Sequence, residues 1–227
     1  MSPRRLLLKL SGEALMGDEG PFSPDEIERL VRVLSAVDAE LGIVVGGGNI
    51  LRGARGGWLD RIDADEVGML ATVLNGLVLR DYLEKSGREA IVQSAVATGF
   101  TAPVDPRKAR KALEEGAIVI FAGGTGNPLV TTDTAAAIRA VSIRADLLVK
   151  ASNVPGVFTA DPRTRADARL IPELSYDEFL ENRYGVMDLA AVAICKEHRV
   201  PIAVFDFSEE DALARLCRGE QVGTLIH

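Results

Sequence analysis

The sequence has few cysteines and no long apolar run, and each shortage excludes a class of protein. Two cysteines, Cys195 and Cys217, are too few for the disulfide framework of a small secreted domain, and no redox or zinc motif surrounds either. No apolar stretch reaches the roughly 18 residues of a membrane span, and only Leu6, Leu7 and Leu8 precede Lys9, too few for a signal peptide. We therefore expect a cytoplasmic protein without a membrane partner.

Basic residues are also in the minority. The chain of 227 residues has 26 Lys and Arg against 33 Asp and Glu, a net charge of −7. Nucleic-acid grooves and anionic membrane surfaces are bound by net basic faces, so we expect neither as a partner. Any anionic ligand must therefore be held by local groups. The hydrophobic share of 47% is that of an ordinary globular protein.

Seven short apolar runs alternate with helical patterns along the chain. This alternation predicts an α/β fold, a three-layer α/β/α sandwich with a mostly parallel central sheet. No repeat or linker divides the chain, so we expect a single domain over residues 1–227. The predicted strands are Arg4–Leu10, Leu41–Val45, Glu89–Ser94, Ala117–Ala122, Asp146–Ala151, Pro201–Phe207 and Val222–Ile226.

Helix starts are marked by capping residues. Ser23 followed by Pro24 predicts one start, and Asp105 followed by Pro106 predicts another. The segment 63–85 has apolar residues around most of its circumference, which indicates either a central core helix or a helix shared with a second subunit. The segment 154–174 is rich in proline and charged residues, which predicts a long excursion or a hairpin that leaves the sheet.

Three polar stretches follow predicted strands, where ligands bind in open α/β sheets. In the first, residues 9–14, Lys9 interrupts an apolar run. An ammonium group is costly to bury unless it meets a negative charge, so a phosphate is one possible partner. A lysine that extends from a strand end to solvent is the other explanation.

The second stretch, residues 43–53, places three glycines, 46 to 48, between a strand and the predicted start of a helix. Glycines allow backbone N–H groups to approach an anion closely, and the positive end of a helix adds to the attraction. Arg52, predicted one turn into that helix, is a candidate to contact phosphoryl oxygens. A tight turn alone explains one glycine well but three in a row poorly.

The third stretch, residues 121–134, repeats the order of strand, glycines and helix. Its hydroxyl and amide groups are candidates to hold a second phosphate, and Asp133 could bind Mg²⁺ or orient a catalytic lysine. Thr132 and Asp133 are equally explained as an ordinary helix cap. Two anion sites at one crevice indicate two phosphate-bearing substrates. The sequence contains neither a Walker A loop nor the Gly-x-Gly-x-x-Gly dinucleotide motif.

Together these segments resemble the bacterial-type uridylate (UMP) kinases of the amino acid kinase family. The resemblance covers almost the whole chain, and its motifs are Lys9-Leu-Ser-Gly-Glu-Ala, Gly46-Gly-Gly-Asn-Ile-Leu-Arg52-Gly, Gly68-Met-Leu-Ala-Thr-Val-Leu-Asn75-Gly, Gly124-Thr-Gly-Asn-Pro-Leu-Val-Thr-Thr-Asp133, Asp161-Pro and Val186-Met-Asp188-Leu. It implies an enzyme that transfers the γ-phosphoryl group of ATP to UMP with Mg²⁺ in pyrimidine nucleotide synthesis. It also implies a homohexamer with GTP and UTP as allosteric effectors.

The resemblance further implies which residues form the sites, with UMP held mainly by the N-terminal and central parts and ATP mainly by the C-terminal part. The catalytic candidates are Lys9, Arg52, Asp133, Asp188 and Lys150. The ATP-binding candidates are Lys9, Leu10, Ser11, Gly12, Gly48, Arg52, Ser152, Phe158 and Asp161. The UMP-binding candidates are Gly47, Asp65, Thr125, Gly126, Asn127, Pro128, Leu129, Val130, Thr131 and Thr132. The effector-linked candidates are Gly17, Asp18, Glu19, Gly20, Pro21 and Phe22. Magnesium is expected mainly on the nucleotide phosphates, with Asp133 as a possible protein ligand.

Two alternative functions remain open on the residues. One is another amino acid kinase that acts on a carboxylate or carbamate. The other is a nucleotide- or oxyanion-binding module without turnover, against which the presence of Lys9, Arg52 and Asp133 counts. The phosphoryl-transfer hypothesis requires residues 46–48 and 124–126 to lie close enough to share one pair of ligands.

Overall fold

The computed structural model describes residues 3–51, 58–162, 164–209 and 211–227. The strands are β1 (Arg5–Leu10), β2 (Glu40–Val45), β3 (Ala90–Ser94), β4 (Ala102–Pro103), β5 (Ile118–Ala122), β6 (Leu147–Ser152), β7 (Val157–Phe158), β8 (Leu170–Ile171), β9 (Glu173–Leu174), β10 (Ile202–Asp206) and β11 (Thr224–Ile226). The helices are α1 (Pro24–Ser35), α2 (Arg61–Lys85), α3 (Pro106–Glu114), α4 (Thr132–Ile143), α5 (Tyr176–Asn182), α6 (Leu189–His198) and α7 (Ala212–Cys217).

Nine strands form one sheet in the order β4-β3-β5-β2-β1-β6-β10-β11-β9. All neighbouring pairs in it are parallel except β10 and β11. Helices cover both faces, so the predicted three-layer sandwich is confirmed. All seven predicted strands are present, with ends shifted by at most two residues. Strands β4, β7, β8 and β9, each of two residues, were not predicted.

Two hydrophobic cores lie on the two faces of the sheet. In β1, Leu6, Leu8 and Leu10 pack into the core under α1, α2 and α7, whereas Leu7 packs into the core under α3 to α6. Side chains alternate between faces along a strand, so Lys9 emerges on the same face as Leu7. The core arrangement therefore directs Lys9 toward the layer that contains α4.

Two segments differ in detail from the sequence-based expectation. The predicted helix directly after the three glycines is absent from the described residues there, because residues 48–50 form a turn in which Leu51 N–H donates to the Gly47 carbonyl. In the part of the chain that the structure describes, the next helix is α2, which begins at Arg61 after the Asp60 cap. The predicted excursion over 154–174 is confirmed and contains the antiparallel pair β7 and β8.

Helix α2 has apolar residues on two sides. Leu79 and Leu83 are fully buried against the sheet, whereas Leu70 and Leu74 on the other side are each 50% exposed. The predicted two-sided character is therefore present. Among the described residues, no helix combines the length and apolar character needed to cross a bilayer.

Candidate active site

Two lysines lie side by side in the middle of the sheet. Lys9 of β1 is the register partner of Lys150 of β6, so both side chains leave the same face. Leu148, two residues before Lys150, packs in the α3 to α6 core as Leu7 does, which identifies that face as the one covered by α4. Like charges on neighbouring strands repel each other, and a counter-charge is therefore required between them.

Asp133, in the first turn of α4, supplies that counter-charge. Its Oδ1 lies 2.9 Å from Lys9 Nζ, and its Oδ2 accepts a hydrogen bond from Lys150 Nζ. The side chains of all three residues are only 11–13% exposed. The cap of α4 is Thr131, whose side chain accepts from Thr134 N–H. Asp133 thus orients the two lysines, and the helix-cap explanation does not apply to it.

The charges of this cluster depend on one another. Burial acts to raise the pKa of Asp133, but the attraction of Lys9 and Lys150 outweighs it and the pKa lies below its ordinary value. Burial lowers the pKa of Lys150, and the charge of Lys9 lowers it further against the opposing attraction of Asp133. The cluster therefore places Lys150 closer to neutrality than an exposed lysine.

Asp188 lies next to the cluster, at the N-terminus of α6. Its Oδ2 accepts hydrogen bonds from Thr131 Oγ1 at 2.5 Å and from Thr134 Oγ1 at 3.2 Å. Its backbone N–H donates to Asp133 Oδ2 at 3.4 Å. Asp188 thus joins the start of α6 to the first turn of α4 and fixes the carboxylate that holds the lysines.

A cavity of about 920 Å³ opens on one side of the cluster. This volume falls within the range of roughly 300–1,000 Å³ typical of small-molecule sites. Asp206 and Tyr184 also line it, and no motif in the sequence identified either of them. The predicted ATP-binding residues at its wall are Lys9, Leu10, Ser11, Ser152, Phe158 and Asp161, together with the predicted catalytic residue Lys150.

A second cavity, of about 170 Å³, is lined by residues of both glycine stretches. Gly47 and Gly48 line it from one side and Gly124 from the other, so the two predicted anion sites share one crevice. The volume suits a phosphate group better than a whole nucleotide. The predicted UMP-binding residues at its wall are Gly47, Asp65, Asn127, Val130, Thr131 and Thr132.

Asp65 enters this second cavity from α2. Its Oδ2 accepts a hydrogen bond from Leu129 N–H at 2.8 Å and lies 3.1 Å from Arg61 Nε. The carboxylate thereby ties the loop after β5 to the start of α2. The loop residue Leu129 adopts a positive φ of 66° at this contact.

Several predicted residues lie elsewhere. Gly48, predicted for ATP, lines the smaller cavity instead, and Gly12 is buried against Asn49. Arg52 is outside the described residues. Among the described residues, the lining of the smaller cavity does not include the predicted UMP-binding residues Thr125, Gly126, Pro128 and Leu129, which share its loop.

The predicted effector loop lies next to the first glycine stretch. Gly17 N–H donates to the Gly20 carbonyl at 3.2 Å and closes a tight turn. The Pro21 carbonyl accepts a hydrogen bond of 2.8 Å from Asn49 Nδ2. Asn49 directly follows Gly48, a wall residue of the smaller cavity, so this hydrogen bond joins the segment 17–22 to the first glycine stretch.

Arg139 is a buried residue that the sequence did not single out. Its Nη2 donates to the Gly124 carbonyl at 3.2 Å, and its guanidinium carbon lies 5.9 Å from the centre of the Phe121 ring. Burial lowers its pKa. Arg139, on α4, thus holds the second glycine stretch through the Gly124 carbonyl. A single arginine within an alanine-rich helix does not indicate such a role in the sequence.

The residues around the cluster do not form a metal site of their own. The described part of the chain contains no group of three or more His, Cys, Asp or Glu side chains placed to hold a metal ion. Both oxygens of Asp133 face ammonium groups, which repel a divalent cation. Asp133 therefore does not fit the role of a magnesium ligand.

Comparison with known proteins identifies relatives over the whole chain. Residues 4–206 match the sequence model of the amino acid kinase family. A uridylate kinase of Stutzerimonas stutzeri is 46% identical over 98% of this chain and 93% of that protein. The crystal structure of a UMP kinase from Bacillus anthracis superposes with a TM-score of 0.96 at 36% identity, covering 100% of this chain and 97% of that one. A UMP kinase from Ureaplasma parvum gives 0.92 at 31% identity, with 100% and 99% covered.

The lysine cluster leads to a prediction about stability. Asp133→Asn leaves two buried ammonium groups without their shared counter-charge, and we expect the free energy of unfolding in urea at pH 7 to fall by about 3 kcal/mol. Asp81→Asn, which breaks the exposed pair with Lys85, is the matched control and changes stability by less than about 1 kcal/mol. Because the pKa of Asp133 is lowered in the folded chain, its carboxylate contributes fully to the free energy of unfolding above pH 3.8, the ordinary pKa of an aspartate. As the pH falls below that value, the difference in stability between the unmodified chain and Asp133→Asn becomes smaller.

A second substitution separates repulsion from simple loss of a contact. Lys150→Met in the Asp133→Asn chain removes one of the two like charges, so the double variant regains part of the lost stability. A double variant that is no more stable than Asp133→Asn contradicts this account of the cluster.

Proposed function

The chain belongs to the amino acid kinase family, and from this membership and its paired cavities we propose that it is a uridylate kinase. It transfers the γ-phosphoryl group of ATP to UMP and forms ADP and UDP. The observation that carries the proposal is the position of the Lys9, Asp133 and Lys150 cluster between the two cavities. The lysines line the larger cavity, and Thr132, next to Asp133, lines the smaller one.

The two cavities suit a donor and an acceptor. ATP occupies the larger cavity, with its phosphates toward Lys9 and its nucleoside part near Phe158 and Asp161. The phosphate of UMP occupies the smaller cavity, where N–H groups of the two glycine stretches face it, and Asp65 holds the nucleoside part. The reacting groups then meet at the lysine cluster.

Phosphoryl transfer requires mainly positioning and neutralisation of charge, and little covalent participation by the protein. Lys9 and Lys150 stabilise the negative charge that spreads over the transferred group, and Asp133 holds both ammonium groups in place. Asp188 positions Asp133 through the first turn of α4. Arg52, from the segment after the first glycine stretch, is a further candidate for contact with the transferred group.

The same proposal includes the cellular setting. Magnesium arrives on the phosphates of ATP, where it neutralises charge. The reaction belongs to pyrimidine nucleotide synthesis in the cytoplasm, where Cys195 and Cys217 remain reduced as the free thiols of the structure. GTP and UTP act as effectors through the segment 17–22, whose Pro21 contacts Asn49 beside the first glycine stretch.

We also propose that the chain forms a homo-oligomer, a hexamer, and the exposed apolar side of α2 supports this proposal. Val67, Leu70 and Leu74 recur at helical spacing there and are 41%, 50% and 50% exposed. An apolar stripe on a soluble helix of this length is typical of a subunit contact. We propose that a second copy of the chain covers it.

The activity is tested by ADP release. With ATP as donor, we expect ADP release with UMP, weaker ADP release with CMP, and none above background with aspartate or carbamate. ADP release with aspartate or carbamate in place of UMP identifies a different amino acid kinase, and ATP binding without any ADP release identifies a binding module.

Lys9→Met tests the lysine cluster in the same assay. We expect the variant to retain its fold, measured by circular dichroism, but to lose ADP release with UMP.

Asp65→Ala tests the assignment of the two cavities. Removing this carboxylate raises the Kd of UMP by about tenfold or more, since hydrogen bonds to a charged group contribute about 1.5–3 kcal/mol. The Kd of ATP changes by less than about twofold. Asp63→Ala, an exposed carboxylate on the same helix, serves as the control and leaves both values unchanged. Weaker ATP binding with unchanged UMP binding in Asp65→Ala would contradict the assignment of UMP to the smaller cavity and ATP to the larger one.

Leu74→Glu tests the subunit contact. A charge in the middle of the stripe destabilises an apolar interface, so analytical ultracentrifugation shows a smaller assembly than for the unmodified chain. Leu170→Glu introduces the same charge at another exposed leucine, on β8, and leaves the assembly intact. An unchanged sedimentation profile for Leu74→Glu excludes this face as the contact.

A further inference from the structure

Helix α2 carries two buried polar residues on its inner side. Thr72 is 2% exposed and Asn75 is completely buried, next to apolar neighbours such as Val73 and Leu79. Buried polar groups are almost always hydrogen-bonded, because an unpaired one costs about 1–3 kcal/mol. The partners of these two residues therefore show what the polar groups do.

Thr72 holds the second glycine stretch. Its hydroxyl donates to the Met69 carbonyl one turn earlier at 2.7 Å, which leaves the oxygen oriented to accept. It accepts a hydrogen bond of 2.6 Å from Gly123 N–H. Gly123 directly precedes Gly124, a wall residue of the smaller cavity.

Asn75 holds the first glycine stretch. Its Nδ2 donates to the Gly46 carbonyl at 2.6 Å and to Asn49 Oδ1 at 2.7 Å. Its Oδ1 accepts from Asn49 Nδ2 at 3.0 Å, which completes a reciprocal amide pair. Gly46 and Asn49 flank Gly47 and Gly48, so the anchor points enclose the glycines that line the cavity.

The helix itself is packed directly on the first glycine stretch. A Cβ atom built on Gly47 would lie 2.7 Å from the Gly68 carbonyl and 3.0 Å from Ala71 Cβ. Thr72 and Asn75 are three positions apart, which corresponds to about 4.5 Å along a helix axis. One rigid turn of α2 thus joins the two glycine stretches.

We propose that Thr72 and Asn75 are positioning residues that fix the distance between the two anion-binding stretches. This inference rests on the proposed function, because both stretches then face the phosphate of UMP, and the distance between them sets where that phosphate lies relative to the γ-phosphorus of ATP. Asn75 is not part of the lining of either cavity. Thr72 does line the smaller cavity, but its hydroxyl is engaged there with the Met69 carbonyl and Gly123 N–H. Displacements of about 1 Å in such an alignment can cost on the order of 100-fold in rate.

The test compares three variants of the full chain. Thr72→Val keeps the shape but removes the acceptor for Gly123 N–H, and Thr72→Ser retains a hydroxyl. Ser86→Ala is the control, because Ser86 is the C-cap of the same helix and its Oγ donates to the Leu83 carbonyl at 2.7 Å, as Thr72 does to Met69. The hydrogen bonds of Ser86 go to the last turn of α2. The measurements are kcat for ATP and UMP and the separate Kd of each nucleotide by calorimetry.

We expect Thr72→Val to lower kcat by about tenfold or more while both Kd values change by less than about threefold. Thr72→Ser retains kcat within about threefold, and Ser86→Ala matches the unmodified chain. If Thr72→Val does not fold, Thr72→Ala is measured in its place, with the same expected changes in kcat and in the two Kd values.

A kcat within twofold for Thr72→Val overturns the inference, as does a Thr72→Ser variant as impaired as Thr72→Val. The unmodified chain is measured first. If it releases no ADP with UMP, the proposed function fails and this inference fails with it. If it is active and Thr72→Val is unimpaired, only the inference fails.

Discussion

The ion cluster of Lys9, Asp133 and Lys150 is the constraint on which the rest of the site depends. Two lysines on adjacent strands can be buried together only if a carboxylate reaches both, and this carboxylate comes from the first turn of α4. The helix reaches close enough because its inner side carries small residues, Ala136 and Ala140, which are fully buried on the sheet. The cluster thereby fixes the start of α4, and with it the preceding loop from Gly124 to Thr131, which lines the smaller cavity.

The sequence predicted the fold well where the signal is local and repeated. The seven main strands are near-continuous apolar runs, because helices cover them on both faces, and their ends were found within two residues. The four strands of two residues each give no such signal, since their pairing is decided by distant partners. The turn at residues 48–50 was wrongly predicted as the start of a helix, because glycines followed by apolar residues are typical of both.

The candidate site was predictable in part. Lys9 and Asp133 drew attention because charged residues beside strand ends require partners, and the structure brings them together. Thr72 and Asn75 lie within a motif of the family resemblance, but no role followed from it, and Arg139 lies in none of the quoted motifs. A single polar residue within an apolar helix has no periodicity of its own that would indicate what it does. Their roles become visible only from the carbonyl and N–H groups that they meet across the fold. Which nucleotide each cavity takes remains a prediction from family resemblance.

Thr224 has a consequence for how the protein assembles during translation. Its hydroxyl accepts from Val157 N–H and donates to the Ile171 carbonyl, and so secures the β7 and β8 pair at the wall of the larger cavity. The ribosome makes Val157 67 residues before this hydroxyl. Strands β1, β2, β3 and β5 need no residue beyond 122 to pair with one another. The nascent chain can therefore order these four strands early, whereas the β7 and β8 pair at the wall of the larger cavity waits for a late-emerging threonine.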